Sequence, residues 1–354
     1  MNHSKSAFSV FFLLPRFLGA PTCRRVLILA ISIGFWARIP DLSAKSNSNL
    51  SVFGVFVGSS PFGETMKSLL QIPPAARADL MQWNLTLYQD ARTLAPTTYK
   101  LHCEFGPAVP GLPGLGATRT AVDREGSWRK GTGIKSNPEA VVYDLNGTVS
   151  LFKLTPDIVH VLDRDRSLMI GTSGWSYTLQ RVEATEKPGD PAQTGGTDHN
   201  ESGTVSPLAT GPSVFGVFDG RSPCQSAARE LKIDVSGSCF KLKWRITLYQ
   251  DPKTQAPTTY KMEDSLHRRK AREGTWSIIR GAETDPNAIV YRLAPTKTEG
   301  ALLLLKGDEN VLFFLNQHGK PLVGNAGFSY TLHRTVASSE PQRSSTRTVP
   351  KAQP

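Results

Sequence analysis

Three cysteines that follow the N-terminal apolar segment carry the first chemistry to consider. Cys224 and Cys239 lie 15 residues apart, and Cys103 lies alone in the first half of the chain. Thiolates are soft ligands that select Cu(I), so a reduced Cys224–Cys239 pair predicts a copper site. In an oxidising compartment the same sulfurs predict a disulfide, which would stabilise the fold by about 3 kcal/mol. The disulfide is favoured, and Cys103 is expected to be a free, partly buried thiol.

The sequence carries no recognised catalytic motif. It has no Gly-x-Ser-x-Gly elbow, no Gly-Lys-Ser/Thr phosphate loop and no His-Glu-x-x-His pair. Its seven histidines never repeat at metal-ligand spacing, and His102 and Cys103, as neighbours in a strand, would point to opposite faces. Without a base beside a nucleophile, a catalytic role has no residues to carry it. We therefore predict a protein that is not an enzyme and has no cofactor, with copper at the cysteine pair as the alternative.

The N-terminal segment indicates export. Arg24 and Arg25 precede an apolar run of 11 residues, Val26–Trp36, and Leu42-Ser43-Ala44 then offers small residues for cleavage. That length suits a signal-peptide core and is short for a bilayer span. We predict residues 1–44 to be an export segment and the protein to be extracytoplasmic, whether periplasmic, envelope-associated or secreted. An uncleaved anchor is the alternative, and it would be the only contact with a membrane.

The charge distribution argues against nucleic-acid binding. The formal net charge is +11, but part of the excess lies in the N-terminal segment and near the C-terminus. The only local basic run, His267–Lys270, falls in one predicted hairpin loop, where such charges are usually solvated. No nucleic acid is therefore expected as a partner. The hydrophobic content of 39% is enough for two modest cores.

An internal repeat organises the chain. Six blocks recur in the same order in its two halves, at offsets of 162 residues early in the copy, 148 in the middle and 153 at the end. They are Val52–Gly58 with Val214–Gly220, Thr86–Asp90 with Thr247–Asp251, Ala95–Lys100 with Ala256–Lys261, Arg124–Trp128 with Arg272–Trp276, Val142-Tyr143 with Val290-Tyr291, and Ser176–Leu179 with Ser329–Leu332. These matches predict two tandem domains, residues 51–182 and 213–335. Residues 183–212 are predicted to be a flexible linker and residues 336–354 a disordered tail.

Each copy has the pattern of short strands joined by turns. The segment Lys241–Tyr249 alternates Leu242, Trp244, Ile246 and Leu248 with mainly polar residues, which is a period of two. Similar short runs follow to the end of the copy, with turn-forming residues between them. Seven or eight antiparallel strands per copy predict an all-β protein of two small, closed or nearly closed up-and-down barrels. A β-sandwich is the alternative.

Several of these blocks resemble a known family. In the second copy they are Phe218–Cys224, Leu248–Asp251, Glu273–Trp276, Tyr291–Leu293, Gly319–Leu322 and Tyr330–Leu332. In this order they resemble the N-terminal domain of the NlpE copper-resistance lipoproteins, a small lipocalin-like barrel of the bacterial envelope. The resemblance covers residues 213–335 well and residues 51–182 as a divergent copy. It implies two tandem lipocalin-like barrels.

The resemblance also implies a function. Members of this family are associated with copper tolerance and with sensing envelope stress or surface contact, and their Cys-x-x-Cys motif is thought to serve metal or redox chemistry. This chain keeps Cys224 but has Ala227 at the second position, and the first copy has Phe62 where Cys224 stands. We expect a non-enzymatic binding or sensing protein of envelope homeostasis, whose partner is an envelope protein or a small apolar ligand. A lipocalin-like carrier and a purely structural or adhesion module are the alternatives.

Two groups of side chains are candidates for a ligand site in the second copy. Small barrels can hold one apolar ligand among interior side chains, and the candidates for such a lining are Trp244, Trp276, Phe314 and Tyr330. The candidates for a polar rim at the barrel mouth are Asp219, Arg221 and Arg272. The competing interpretation is that the aromatic residues fill the core.

Overall fold

The computed structural model describes residues 49–109, 114–147, 149–183, 208–232, 234–265, 271–283, 285–296 and 300–335. Within them, sixteen strands form two closed antiparallel barrels of eight strands each, and both barrels belong to one compact unit, Asn47–Pro354. The predicted all-β class and the two tandem barrels are confirmed. The β-sandwich alternative is wrong, because hydrogen bonds between the first and last strands close each sheet on itself. The export segment, most of the linker and the tail lie outside the described residues.

The first barrel begins at Leu50 and ends at Val182. Its strands pair in chain order, and the last strand pairs back to the first through Val55 and Val182. A short helix, α1 (Glu64–Leu69), follows the first strand. The strands are β1 (Leu50–Pro61), β2 (Leu80–Asp90), β3 (Pro96–Gly106), β4 (Thr120–Ile134), β5 (Asn137–Leu145), β6 (Val149–Thr155), β7 (Ile158–Val161) and β8 (Thr178–Val182).

The second barrel repeats this order, and it closes where His333 of its last strand pairs with Asp219 of its first. A helix again follows the first strand, α2 (Cys224–Glu230). The strands are β9 (Val214–Pro223), β10 (Lys241–Gln250), β11 (Pro257–Asp264), β12 (Arg272–Ala282), β13 (Asp285–Pro295), β14 (Leu302–Lys306), β15 (Val311–Leu315) and β16 (Thr331–Arg334). The two helices were not predicted from the sequence pattern, which indicated strands alone.

Alternation along each strand builds the two interiors. In β10 the predicted apolar residues Leu242, Trp244, Ile246 and Leu248 are all buried in the core of the second barrel. Successive side chains of a strand point to opposite faces, so one set fills the barrel while the other faces outwards. The period-two pattern therefore identified the interior face of this strand correctly.

Two tryptophans hold the same position in the two copies, Trp83 in β2 and Trp244 in β10. Trp83 donates its indole N–H to Ser60 Oγ at 2.8 Å, and Trp244 donates to Ser222 Oγ at 2.9 Å in the second barrel. Buried indole N–H groups need an acceptor. The same bond thus ties the first strand of each barrel to the second, and both copies keep the tryptophan and the serine.

Two arginines play a matching role at the closing strand of each barrel. Arg181 lies over the ring of Phe53 and donates to the Phe53 carbonyl oxygen. Arg334 lies over Phe215 in the same way and donates to its carbonyl oxygen at 2.7 Å. A guanidinium on an aromatic face gains a cation–π attraction as well as its hydrogen bond. These contacts join the last strand of each barrel to the first.

Candidate functional site between the two barrels

The outer faces of the two barrels pack against each other. A third cluster of buried residues, which we call the interface cluster, lies outside both interiors and takes members from each barrel. Apolar side chains that leave water at such a contact stabilise it by about 25 cal/mol per Å². The cluster consists of Ile134, Ala140, Val142, Leu162 and Leu168 from the first barrel and Val290, Leu305, Val311, Phe313 and Leu315 from the second.

Equivalent residues of the two copies meet at this contact. Ser176 Oγ lies 2.5 Å from Ser329 Oγ, and Thr178 Oγ1 lies 2.9 Å from Thr331 Oγ1. Each pair occupies the same position in the repeat, at the offset of 153. A contact in which a residue meets its own equivalent is the mark of an isologous, two-fold interface. The duplicated barrels are therefore arranged like the subunits of a symmetric dimer within one chain.

Two buried histidines lie in this contact. His160 Nε2 donates to the Met169 carbonyl oxygen at 3.0 Å, so its Nδ1 accepts from the Thr178 hydroxyl at 2.9 Å. His333 Nδ1 accepts from the Gly171 N–H at 3.0 Å, and its Nε2 has no hydrogen-bond partner among the described residues. The two rings are 6.5 Å apart. Burial lowers the pKa of His160 to about 4, and burial with the neighbouring His160 lowers the pKa of His333 to about 3.

A groove of about 750 Å³ runs between the barrels beside the interface cluster. Most of its lining falls into equivalent pairs, one residue from each copy. Its lining presents about as much polar as apolar surface, and its volume lies within the range of small-molecule sites. The pairs are Asn137 with Asp285, Ala140 with Ala288, Val141 with Ile289, Phe152 with Leu305, Lys153 with Lys306 and Leu154 with Gly307.

The charges around the groove are balanced. Its lining has three lysines, at positions 135, 153 and 306, and three acids, at positions 285, 308 and 309. Lys135 pairs with Asp165 at 2.6 Å, and Lys306 pairs with Glu309. Burial raises the pKa of Asp308. Because these charges cancel, the groove has no preference for a charged ligand, and its apolar side chains, among them Phe152 and Ile289, can contact an uncharged one.

The two candidate cysteines form a disulfide, which confirms the favoured prediction. Cys224 begins α2 and Cys239 precedes β10, so the bond fixes the helix to the wall of the second barrel. Both sulfurs are bonded to each other, and a copper site at this pair would first need reduction. The described residues contain no group of three His, Cys, Asp or Glu side chains placed to hold a metal.

Loss of this disulfide should destabilise the second barrel. We expect Cys224→Ala/Cys239→Ser to lower the free energy of unfolding by about 3 kcal/mol, because the unfolded chain regains the freedom of the opened loop. Urea denaturation with and without reductant measures it. Reductant should shift the wild-type curve and leave that of the double variant unchanged. An equal response of both proteins to reductant would contradict the prediction.

The four predicted lining residues lie inside the second barrel, in contact with one another and with their neighbours. Trp244 and Phe314 have ring centroids 5.2 Å apart, and Phe314 and Tyr330 6.1 Å apart. Trp276 packs on Phe215 at 5.0 Å. All four are buried in the interior cluster of this barrel. Their rings occupy the interior as core side chains.

The three predicted rim residues are not brought together. Phe218 points into the second barrel, whereas Asp219 and Arg221 lie on the outer face of β9. Asp219 binds Arg245 at 2.6 Å, and Arg221 lies over Trp175 of the first barrel. Arg272 faces the interior and pairs with the buried carboxylate of Asp264 at 2.9 Å. Because successive strand residues alternate between faces, these residues lie on opposite sides of the barrel wall. They form no common rim.

The remaining cysteine lies in the core of the first barrel. Cys103 is free and fully buried, where it was predicted to be partly buried, and burial raises its pKa. Its neighbour His102 is on the outside and contacts Asp123 at 2.7 Å, so the two side chains do point to opposite faces. A buried, protonated thiol is a poor nucleophile and a poor metal ligand.

The sequence contains a signal for the interface that a strict alternation of apolar and polar residues does not reveal. In β15, Val311–Leu315, all five residues are apolar and all are buried. A short run that is apolar on both faces indicates a strand covered on both sides. The matching run of the first barrel, Ile158–Val161, is likewise buried throughout and includes His160.

No family model, no curated protein and no solved structure matches the chain. In the part of the chain that the structure describes, no helix is long and apolar enough to cross a membrane.

Proposed function

We propose that this chain is a non-enzymatic, extracytoplasmic binding protein of the NlpE-like type, which serves envelope homeostasis by binding a small, uncharged apolar ligand in the groove between its barrels. The observation that carries the proposal is the groove itself, which has a volume of about 750 Å³ and a lining of apolar and polar side chains, most of them in equivalent pairs from the two copies. Concave pockets of this size that combine apolar side chains with polar groups are the usual form of small-molecule sites.

The barrel interiors give less support to a ligand site than the groove does. Aromatic side chains contact one another inside the second barrel, and tightly packed cores leave few voids. We therefore place the apolar ligand at the contact between the barrels and not inside either barrel. Duplication then has a direct purpose, because neither copy alone contains both walls of the groove.

The disulfide supports an extracytoplasmic location. Disulfides form and persist in oxidising compartments and are rare in the cytosol, and Cys224–Cys239 is such a bond. The apolar N-terminal run, with its preceding arginines, agrees with export. Sensing of surface contact or envelope stress, and copper tolerance, rest on the family resemblance alone.

Ligand binding at the groove can be tested with N-phenyl-1-naphthylamine, an uncharged apolar dye that fluoresces when it leaves water. We expect saturable binding to the wild-type protein. Ala288→Phe, which places a ring in the groove, should weaken binding at least about tenfold, since it occupies the space of the ligand. Fluorescence titration gives both dissociation constants.

Ile278→Ser is the matched control, because Ile278 is a large apolar residue of the second barrel that is 50% exposed and does not line the groove. Its affinity for the dye should equal that of the wild type. Equal affinity of Ala288→Phe and wild type would place the dye elsewhere, and an absence of saturable uptake would refute the carrier function.

A further inference from the structure

A polar pocket of about 580 Å³ lies on the first barrel and shares no lining residue with the groove. It is bounded by the end of α1, by β4–β6 and by the turn at residues 163–167 that follows β7. Three arginines line it, Arg129, Arg164 and Arg166, and we call it the arginine pocket. Two carboxylates, of Asp144 and Asp163, also line it. The lining therefore carries one positive charge more than it carries negative charges.

The carboxylate of Asp144 neutralises only part of this positive charge. It is 5% exposed and accepts a hydrogen bond from Ser150 at 2.6 Å. Arg166 Nη2 lies 3.2 Å from its Oδ1, and Arg129 Nε lies 3.6 Å from its Oδ2. A buried carboxylate needs one good cationic partner. The guanidinium of Arg164 is directed elsewhere, to the hydroxyl of Ser68 on α1.

One donor of Arg166 has no hydrogen-bond partner in the part of the chain that the structure describes. This atom, Nη1, is buried. A buried donor without an acceptor destabilises the fold, and the second copy avoids this cost by having Gly319 at the equivalent position.

The second copy contains the same turn without the arginines. There Gly319 N–H donates to the Asn316 carbonyl oxygen at 3.0 Å, as Arg166 N–H donates to that of Asp163 at 3.0 Å. Positions 129, 164 and 166 are matched by Ser277, Gln317 and Gly319. The arginines are therefore not required to build the turn.

The backbone conformation of the turn is the same in both copies, but the residue that adopts it differs. Arg166 has a φ of 65°, and Gly319 has a φ of 78°. Glycine adopts this left-handed conformation freely, whereas an arginine there is strained. The first copy therefore has an arginine at a position where the turn itself favours glycine.

We propose that the arginine pocket binds the oxyanion of a phosphate group. Guanidinium groups present paired N–H donors that match phosphate oxygens, and Arg129, Arg164 and Arg166 all line this one pocket, whereas the second copy has none of the three at its equivalent positions. The phosphate is either a free ion or the headgroup of a phospholipid. The site shares no lining residue with the groove, so its failure and the failure of the proposed function are distinguishable.

Substitutions taken from the second copy test the site without disturbing the turn. Arg164→Gln and Arg166→Gly carry the residues of the matching turn, and the exposed Arg92 outside the pocket provides the control Arg92→Gln. The thermal midpoint of the full chain is measured against inorganic phosphate, with chloride at equal ionic strength as the reference. We expect saturable stabilisation of the wild type and of Arg92→Gln by phosphate. Each pocket variant should bind phosphate about tenfold more weakly, since a charge-assisted hydrogen bond is lost.

A second arm separates the two sources of phosphate. Flotation with phosphatidylglycerol vesicles, compared with phosphatidylcholine vesicles, measures binding to a headgroup. Binding that Arg164→Gln and Arg166→Gly reduce supports the site and assigns it to a lipid. Phosphate stabilisation without flotation supports the site and assigns it to a free ion. Two results would overturn the proposal. One is that phosphate raises the thermal midpoint of the wild type no more than chloride does and that the protein does not float with the vesicles. The other is that the pocket variants behave like Arg92→Gln in both experiments.

Discussion

Phe313→Ala should lower the free energy of unfolding by about 3–5 kcal/mol, the range for removing a buried phenylalanine. Phe313 is 2% exposed, yet it lies on the outer face of the second barrel. Its ring meets the ring of His160 from the first barrel edge-on, with centroids 5.6 Å apart. The loss therefore comes from the contact between barrels. Urea denaturation, followed by tryptophan fluorescence, measures it.

The control for Phe313→Ala is Ile278→Ala, at a residue that is also apolar and on the second barrel but is 50% exposed. Exposed substitutions usually change stability by less than about 0.5 kcal/mol. If Phe313→Ala costs no more than this control, the two outer faces do not stabilise each other, and the dimer-like arrangement is contradicted.

Acid should destabilise the contact between barrels through its two buried histidines. The pKa of His160 is lowered to about 4 and that of His333 to about 3, from an ordinary value of 6.5. Between these values the unfolded chain binds protons that the folded chain does not bind, so stability falls as the pH falls. The contribution is fully present above pH 6.5 and is lost towards pH 4 and below. Each pKa unit corresponds to about 1.4 kcal/mol.

His333→Gln isolates this effect from the titration of carboxylates. The matching residue of the first copy is Gln180, which is also buried in the contact, so glutamine suits this environment. Relative to its own value at neutral pH, the variant should retain about 3 kcal/mol more stability than the wild type at pH 4. Urea denaturation at a series of pH values gives both curves. Parallel curves for the two proteins would show that His333 is not held neutral by burial.

The fold was largely predictable from the repeat and from strand periodicity. Six repeated blocks required two copies of one domain, and the alternation in β10 identified the face that fills the barrel. The helix α2 was missed because Cys224–Glu230 is short and its residues give no clear helical pattern. The rim prediction failed because Asp219 and Arg272 were grouped by residue type, while their strand positions place them on opposite faces.

The groove could not be predicted, for a physical reason. A strand that is apolar on both faces, such as Val311–Leu315, indicates that its outer face is covered but not what covers it. The structure shows that the covering element is the other copy, for example where Thr178 meets Thr331. The arginine pocket likewise depends on the left-handed backbone of Arg166, which its residue type would not suggest.

The central claim is that both barrels together form the ligand site. The most direct test is to measure which amide chemical shifts change in the NMR spectrum of the full chain when N-phenyl-1-naphthylamine binds. We predict changes at residues 137–141 and 152–154 of the first barrel and at 285–289 and 305–310 of the second, all with one dissociation constant. Changes confined to the surroundings of Trp244, Phe314 and Tyr330, inside the second barrel, would contradict it.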